Sequence, residues 1–130
     1  MYEVLGITSA VLFAIVMMPF LLRHINRLFY KGKNRMITSW RMRFRKIHKP
    51  AGFGLAVISL IHGYLALGSI RLHTGTLAWM VSIAAVILGV LFSIKKKAVI
   101  LVWHRRMALL AILFIALHLL VPGALYYIGF

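Results

Sequence analysis

A chain of 130 residues suffices for one domain, but 63% hydrophobic residues is more apolar surface than a soluble fold of that size can bury. Sixteen Lys and Arg against a single acid, Glu3, give a net charge of +15. The bases lie between long apolar runs, so the charge reads as membrane topology and nucleic acid is not the expected partner. The absence of cysteine excludes disulfides, thiolate ligands, iron–sulfur clusters and c-type haem attachment, and leaves the redox compartment open.

About 20 mostly apolar residues are needed to cross ~30 Å of hydrocarbon as a helix. Four segments qualify: Val4–Leu22, about Pro50–Ile70, about Thr76–Ile94, and Ala98–Val121. No basic n-region or small-residue cleavage site marks the N-terminus, so no removable signal is expected. Pro19 is expected to kink the first span and Pro122-Gly123 to end the fourth. Residues 23–49 form a basic linker with ten Lys and Arg. Lys95, Lys96, Lys97, Arg105 and Arg106 add five more bases around the third-to-fourth turn, while Arg71 is alone on the other side. The positive-inside rule puts the basic side in the cytoplasm and both termini outside. Trp40 and Trp103 fall near one interface and Trp79, Tyr126 and Tyr127 near the other, as an aromatic belt does. The expected fold is all-α: an integral membrane four-helix bundle, N-out and C-out, forming a single membrane domain over residues 1–130. The linker has two compatible readings, retention against anionic membrane lipid or a docking surface for an acidic cytoplasmic partner.

Six histidines are present, and four of them form a pattern. His48 and His62 are fourteen residues apart in the second span, and His104 and His118 are fourteen apart in the fourth. Fourteen residues is close to four turns, so each pair shares a face with its members roughly 21 Å apart along the axis. Both helices run in the same direction, so His48 matches the depth of His104, and His62 that of His118. If the two helices face each other, each matched pair offers the two axial imidazoles of a b-type haem. His62 and His118 lie within apolar runs, where polar groups are costly and usually functional. Zinc or copper would need three or four close ligands, which the 21 Å separation denies. Should the second helix begin after His48, near Lys49-Pro50, the register of that ligand is less fixed than that of the other three.

A porphyrin also needs room beside its ligands. The stripe of the second span reads His48, Gly52, Leu55, Ser59, His62, and that of the fourth reads His104, Ala108, Ala111, Ile115, His118. The third span has a small stripe of its own, Ser82, Ala85, Gly89 and Ser93, suited to a neighbouring helix or a haem face. Arg45, Lys46, Arg105 and Arg106 are candidates for inner propionates and Arg71 for an outer one. His24 reads as a surface residue. His73, in the loop SIRLHTG, is either a contact to an outer propionate or electron acceptor, or a solvated side chain.

The motifs HKPAGFGLAVISLIH and HRRMALLAILFIALH resemble the ferric reductase-like transmembrane domain, and the resemblance covers residues 45–121. It implies two haems b, stacked across the bilayer, with His48 and His104 ligating the inner iron and His62 and His118 the outer. Cytochrome b subunits of quinol-oxidising complexes are similar in spacing, so cofactor is better specified than substrate. The chain departs from the oxidase-type members, which have six spans and a flavin-dehydrogenase domain. It is therefore expected to be an electron-transfer module rather than a complete enzyme, acting in a bacterial cytoplasmic membrane. Its expected partners are redox proteins (a flavoprotein or a respiratory subunit) or quinone, in an oligomer or larger complex. Three functions follow: transmembrane electron transfer to an outer acceptor, a quinone-linked anchor subunit, or a non-redox scaffold recruiting a partner through its basic loop.

Overall fold

The computed structural model describes residues 1–69 and 71–129; Ile70, the expected end of the second span, lies outside them. Among the described residues the chain is helical, with no strand: α1 (Tyr2–Tyr30), α2 (Arg35–Leu67), α3 (Thr74–Lys95), α4 (Ala98–Leu120) and the short α5 (Ala124–Tyr127). The first four helices are long and apolar enough to cross a membrane. The chain divides into two compact units, one of Met1 and Glu3–Ile58 and one of Tyr2 and Ser59–Phe130.

In the first unit, α1 and α2 run antiparallel. Leu12 Cδ1 lies 3.6 Å from where a Cβ would stand on Gly54, and Val16 meets His48. The turn between them is built around Asn26, a buried polar residue. Its carbonyl accepts from Lys31 and Gly32, which take left-handed conformations at φ 50° and 79°. Its side-chain oxygen accepts from the Asn34 N–H (3.1 Å), and its amide donates to the Asn34 carbonyl (3.3 Å) and Thr38 Oγ1 (3.1 Å). Asn34 Oδ1 then accepts from the N–H groups of Met36 and Ile37, satisfying two donors that a helix start leaves open.

This turn shortens the expected linker. Of residues 23–49, only Lys31–Asn34 lie outside helix, and α2 begins thirteen residues before His48. The segment RMITSWRMRFRKI contains neither Gly nor Pro, and Arg, Met and Lys are good helix formers. Apolarity marks where a helix can sit in lipid, not where it starts. At 33 residues α2 is about 50 Å long, well beyond the ~30 Å hydrocarbon layer. Pro50 is accommodated inside it, so His48 and His62 are on one continuous helix. Helix α1 likewise continues through Pro19.

In the second unit α3 and α4 pack antiparallel across a two-residue turn, Lys96-Lys97, with Lys96 at φ 54°. The buried side of α3 is Thr74, Ala78, Ser82 and Ala85, and the one buried residue of α4 is Ala111. Small side chains let the two backbones approach closely where lipid offers no hydrophobic drive to associate. Ser82 and Ser93 donate to the carbonyls four residues back, which satisfies their hydroxyls within the helix. Large apolar residues such as Leu113 and Leu119 point outward, as hydrocarbon favours. Helix α4 ends at Leu120, directly before Val121-Pro122-Gly123, as expected.

Candidate functional site: four anchored histidines

Each of the four patterned histidines is half-buried, and each is tied through Nδ1 to an oxygen on the helix preceding its own. In the first unit, His48 Nδ1–H donates to the Val16 carbonyl at 3.0 Å. In the second, His62 donates to the Tyr2 carbonyl at 2.8 Å and His104 to the Ala85 carbonyl at 2.7 Å. His118 Nδ1 lies 3.0 Å from Thr74 Oγ1. A carbonyl can only accept, so the first three rings carry their proton on Nδ1. The Thr74 hydroxyl donates its one proton to the Pro122 carbonyl at 2.9 Å, so it too accepts from His118. A neutral imidazole protonated on Nδ1 has its lone pair on Nε2, the form in which histidine ligates a metal. A second hydrogen bond of this kind fixes ring orientation and raises ligand basicity.

His24 provides the contrast. Its Nδ1 also meets a carbonyl, that of Phe20 at 3.0 Å, but four residues back on its own exposed helix. That is a local contact, and it fits the surface role read from the sequence. His73 is more involved than its loop position suggested. It caps α3 by accepting from the Gly75 N–H (3.4 Å), and its ring meets that of His118 edge-on at 5.8 Å.

Two glycines set the approach of α4 to α3. A Cβ on Gly75 would lie 3.1 Å from His118 Cε1, and one on Gly89 would lie 3.2 Å from His104 Cε1. Gly75 and Gly89 are fourteen residues apart, the same interval as the histidines they face. Gly89 also stands four residues after Ala85, where a side chain would lie over the Ala85 carbonyl. Leaving that position bare exposes the acceptor of His104. The small stripe of α3 thus packs on α4.

The remaining predicted residues fall as follows. Ala111 is buried, and Ala108 and Ser59 are half-buried. Gly52 is half-buried, and a Cβ there would meet nothing within 4 Å. Arg45, Lys46, Arg105, Arg106 and Arg71 are exposed, with the Arg106 guanidinium over the Trp103 ring, 5.2 Å from its centroid. His48 and His104 belong to different units and are each described within their own. Among the described residues, no three or more His, Cys, Asp or Glu converge as a chelating group. A bis-histidine haem needs only two imidazoles, fewer than such a chelating group. Sequence reasoning missed Thr74, Gly75 and the acceptor carbonyls. The repeated fourteen-residue glycine interval was the available signal.

Comparison of the chain with family models, with curated proteins and with solved structures returned no match.

Proposed function

We propose that this chain is a di-haem b-type membrane cytochrome that moves electrons across a bacterial cytoplasmic membrane. The basic loops face the cytoplasm, both termini lie outside, and the route runs between a donor on the cytoplasmic side or in the membrane and an outer-face acceptor. One observation carries this reading: four histidines at a matched interval each have Nδ1–H anchored to an oxygen of the preceding helix, so that Nε2 bears the lone pair. A histidine kept only for structure has no need of the same tautomer at all four places. His48 and His104 would hold one haem, and His62 and His118 the other. Haem b supplies a one-electron ferric/ferrous couple at each site. The protein contributes ligand orientation, an apolar surround, and cationic counter-charge for propionates from Arg45, Lys46, Arg105 and Arg106 at one end and Arg71 at the other. With the cytoplasm negative, outward electron movement is favoured by about 2.3 kcal/mol per 100 mV.

The test is a pyridine haemochrome assay on the purified chain, which should give two haems b per chain, followed by reconstitution in vesicles. With reductant on the basic side, an impermeant ferric acceptor on the other side should be reduced, and both His48→Ala and His118→Ala should stop it. No haem in the wild-type chain ends the reading and leaves the scaffold alternative. Undiminished transfer in His48→Ala would move the donor to the far haem, as in a quinone-linked subunit.

A further inference from the structure

Thr74 has no solvent exposure at all, which is unusual in a chain where most side chains face outward. It stands at the first turn of α3, where a threonine ordinarily serves as a cap, yet the cap is the neighbouring His73 side chain. The Thr74 hydroxyl is committed elsewhere. It donates to the Pro122 carbonyl, beyond the end of α4, at 2.9 Å and receives the His118 Nδ1–H at 3.0 Å. His73 Nδ1, at 3.5 Å from the same oxygen, is the more distant neighbour and takes the Gly75 N–H. The hydroxyl thus ties the ring of His118 to the turn that ends α4, while the bare Gly75 leaves room for that ring at its side.

Building on the haem reading, we propose that Thr74 is the positioning residue of the His62/His118 haem, holding His118 in its ligating tautomer and tuning that haem alone. The other three histidines use backbone carbonyls, which no substitution can delete. Among the described Nδ1 contacts of these four rings, Thr74 is the acceptor carried on a side chain, so it is where this site can be tuned independently. A hydroxyl accepting from Nδ1–H increases the electron donation of the imidazole toward a metal on Nε2 and favours the ferric state. Its loss should therefore raise the reduction potential of that haem and weaken its binding.

Thr74→Val keeps the shape and removes the oxygen. It should lower affinity for one haem by about 10–100-fold, raise the midpoint potential of that haem in a redox titration, and alter its low-spin electron paramagnetic resonance signal. The His48/His104 haem should be unchanged, and Thr74→Ser should restore wild-type values. Wild-type occupancy and potential in Thr74→Val would overturn the proposal. If Thr74→Val loses both haems, Thr74→Ser and Thr74→Ala decide: a haem potential nearer wild type in the serine variant supports the role of the hydroxyl, and equal behaviour overturns it. The haem count of the wild-type chain is read separately. A count of zero removes the functional reading and this proposal together, whereas two haems with no response at position 74 removes this proposal alone.

Discussion

The turn of α1 into α2 and the turn of α3 into α4 join helices that each present histidines to the helix before, but they do so by different means. The first spends four residues and a buried asparagine, whose backbone and side chain make most of the hydrogen bonds of the turn. The second spends two residues and one left-handed lysine. The close approach differs as well. Gly52 and Gly63 of α2 face nothing within 4 Å, whereas Gly75 and Gly89 of α3 lie directly against histidine rings. Histidine anchoring is therefore compatible with two kinds of packing. In α3–α4 two glycines lie against the rings and the acceptors are the Ala85 carbonyl and the Thr74 hydroxyl, whereas over residues 1–58 the acceptor is the Val16 carbonyl and a polar turn joins the helices.

The hardest way to break this comparison is to remove the proposed haem ligands. Any one of His48→Ala, His62→Ala, His104→Ala and His118→Ala should reduce haem from two per chain to about one, and the two variants within each proposed pair should share a visible spectrum. Loss of both haems from every variant, with helicity intact by circular dichroism, would leave the pairing without support.

Ala111→Phe tests the packed side of α4 and should come next in size. Ala111 is 5% exposed, so a phenyl ring there overpacks the α3–α4 contact at a cost of about 1–3 kcal/mol. The loss should be visible as lower melting temperature and lower haem content. Met107→Leu, at a half-buried neighbouring position, should do less. Unchanged haem content in Ala111→Phe would mean that this face is not the one the cofactor uses.

Asn26→Ala asks the corresponding question of the first turn. It removes three side-chain hydrogen bonds from a buried position, and leaving their partners unsatisfied should cost about 1–3 kcal/mol in thermal or denaturant unfolding. A change below about 0.5 kcal/mol would show that the turn is held by its backbone bonds alone.

The glycines give a finer contrast. Gly89→Ala should destabilise, because its Cβ would sit 3.2 Å from His104 Cε1 and the ring must give way. Gly63→Ala, with open space around it, should stabilise α2 by about 0.4–1 kcal/mol through the unfolded chain. Equal melting shifts of the same sign would erase the distinction between the two packings. The smallest effect expected is from Lys96→Gly, which relieves a left-handed lysine at φ 54° and should raise stability by up to about 1 kcal/mol.

How far the sequence reaches can be judged from particular residues. Four spans were legible because crossing hydrocarbon demands long apolar runs, and those runs are the sequence itself. The shared faces of His48 with His62 and of His104 with His118 were legible because helical period converts interval into angle. The break after α4 was legible from Pro122-Gly123. The start of α2 was not, since residues 35–49 are polar and still helical, and membrane apolarity says nothing about that. Nor were the acceptors legible. Val16, Tyr2 and Ala85 contribute only carbonyl oxygens, which every residue has, and what selects them is the register of one helix on another. Thr74 was not singled out by the sequence either, since its role rests on a hydroxyl placed between His118 and Pro122. Sequence alone thus determined which side chains share a helix face, because local geometry repeats. Only tertiary structure decided which oxygen each ring meets and hence which nitrogen keeps its lone pair, because that depends on contacts between residues 19 to 60 positions apart that no local period encodes.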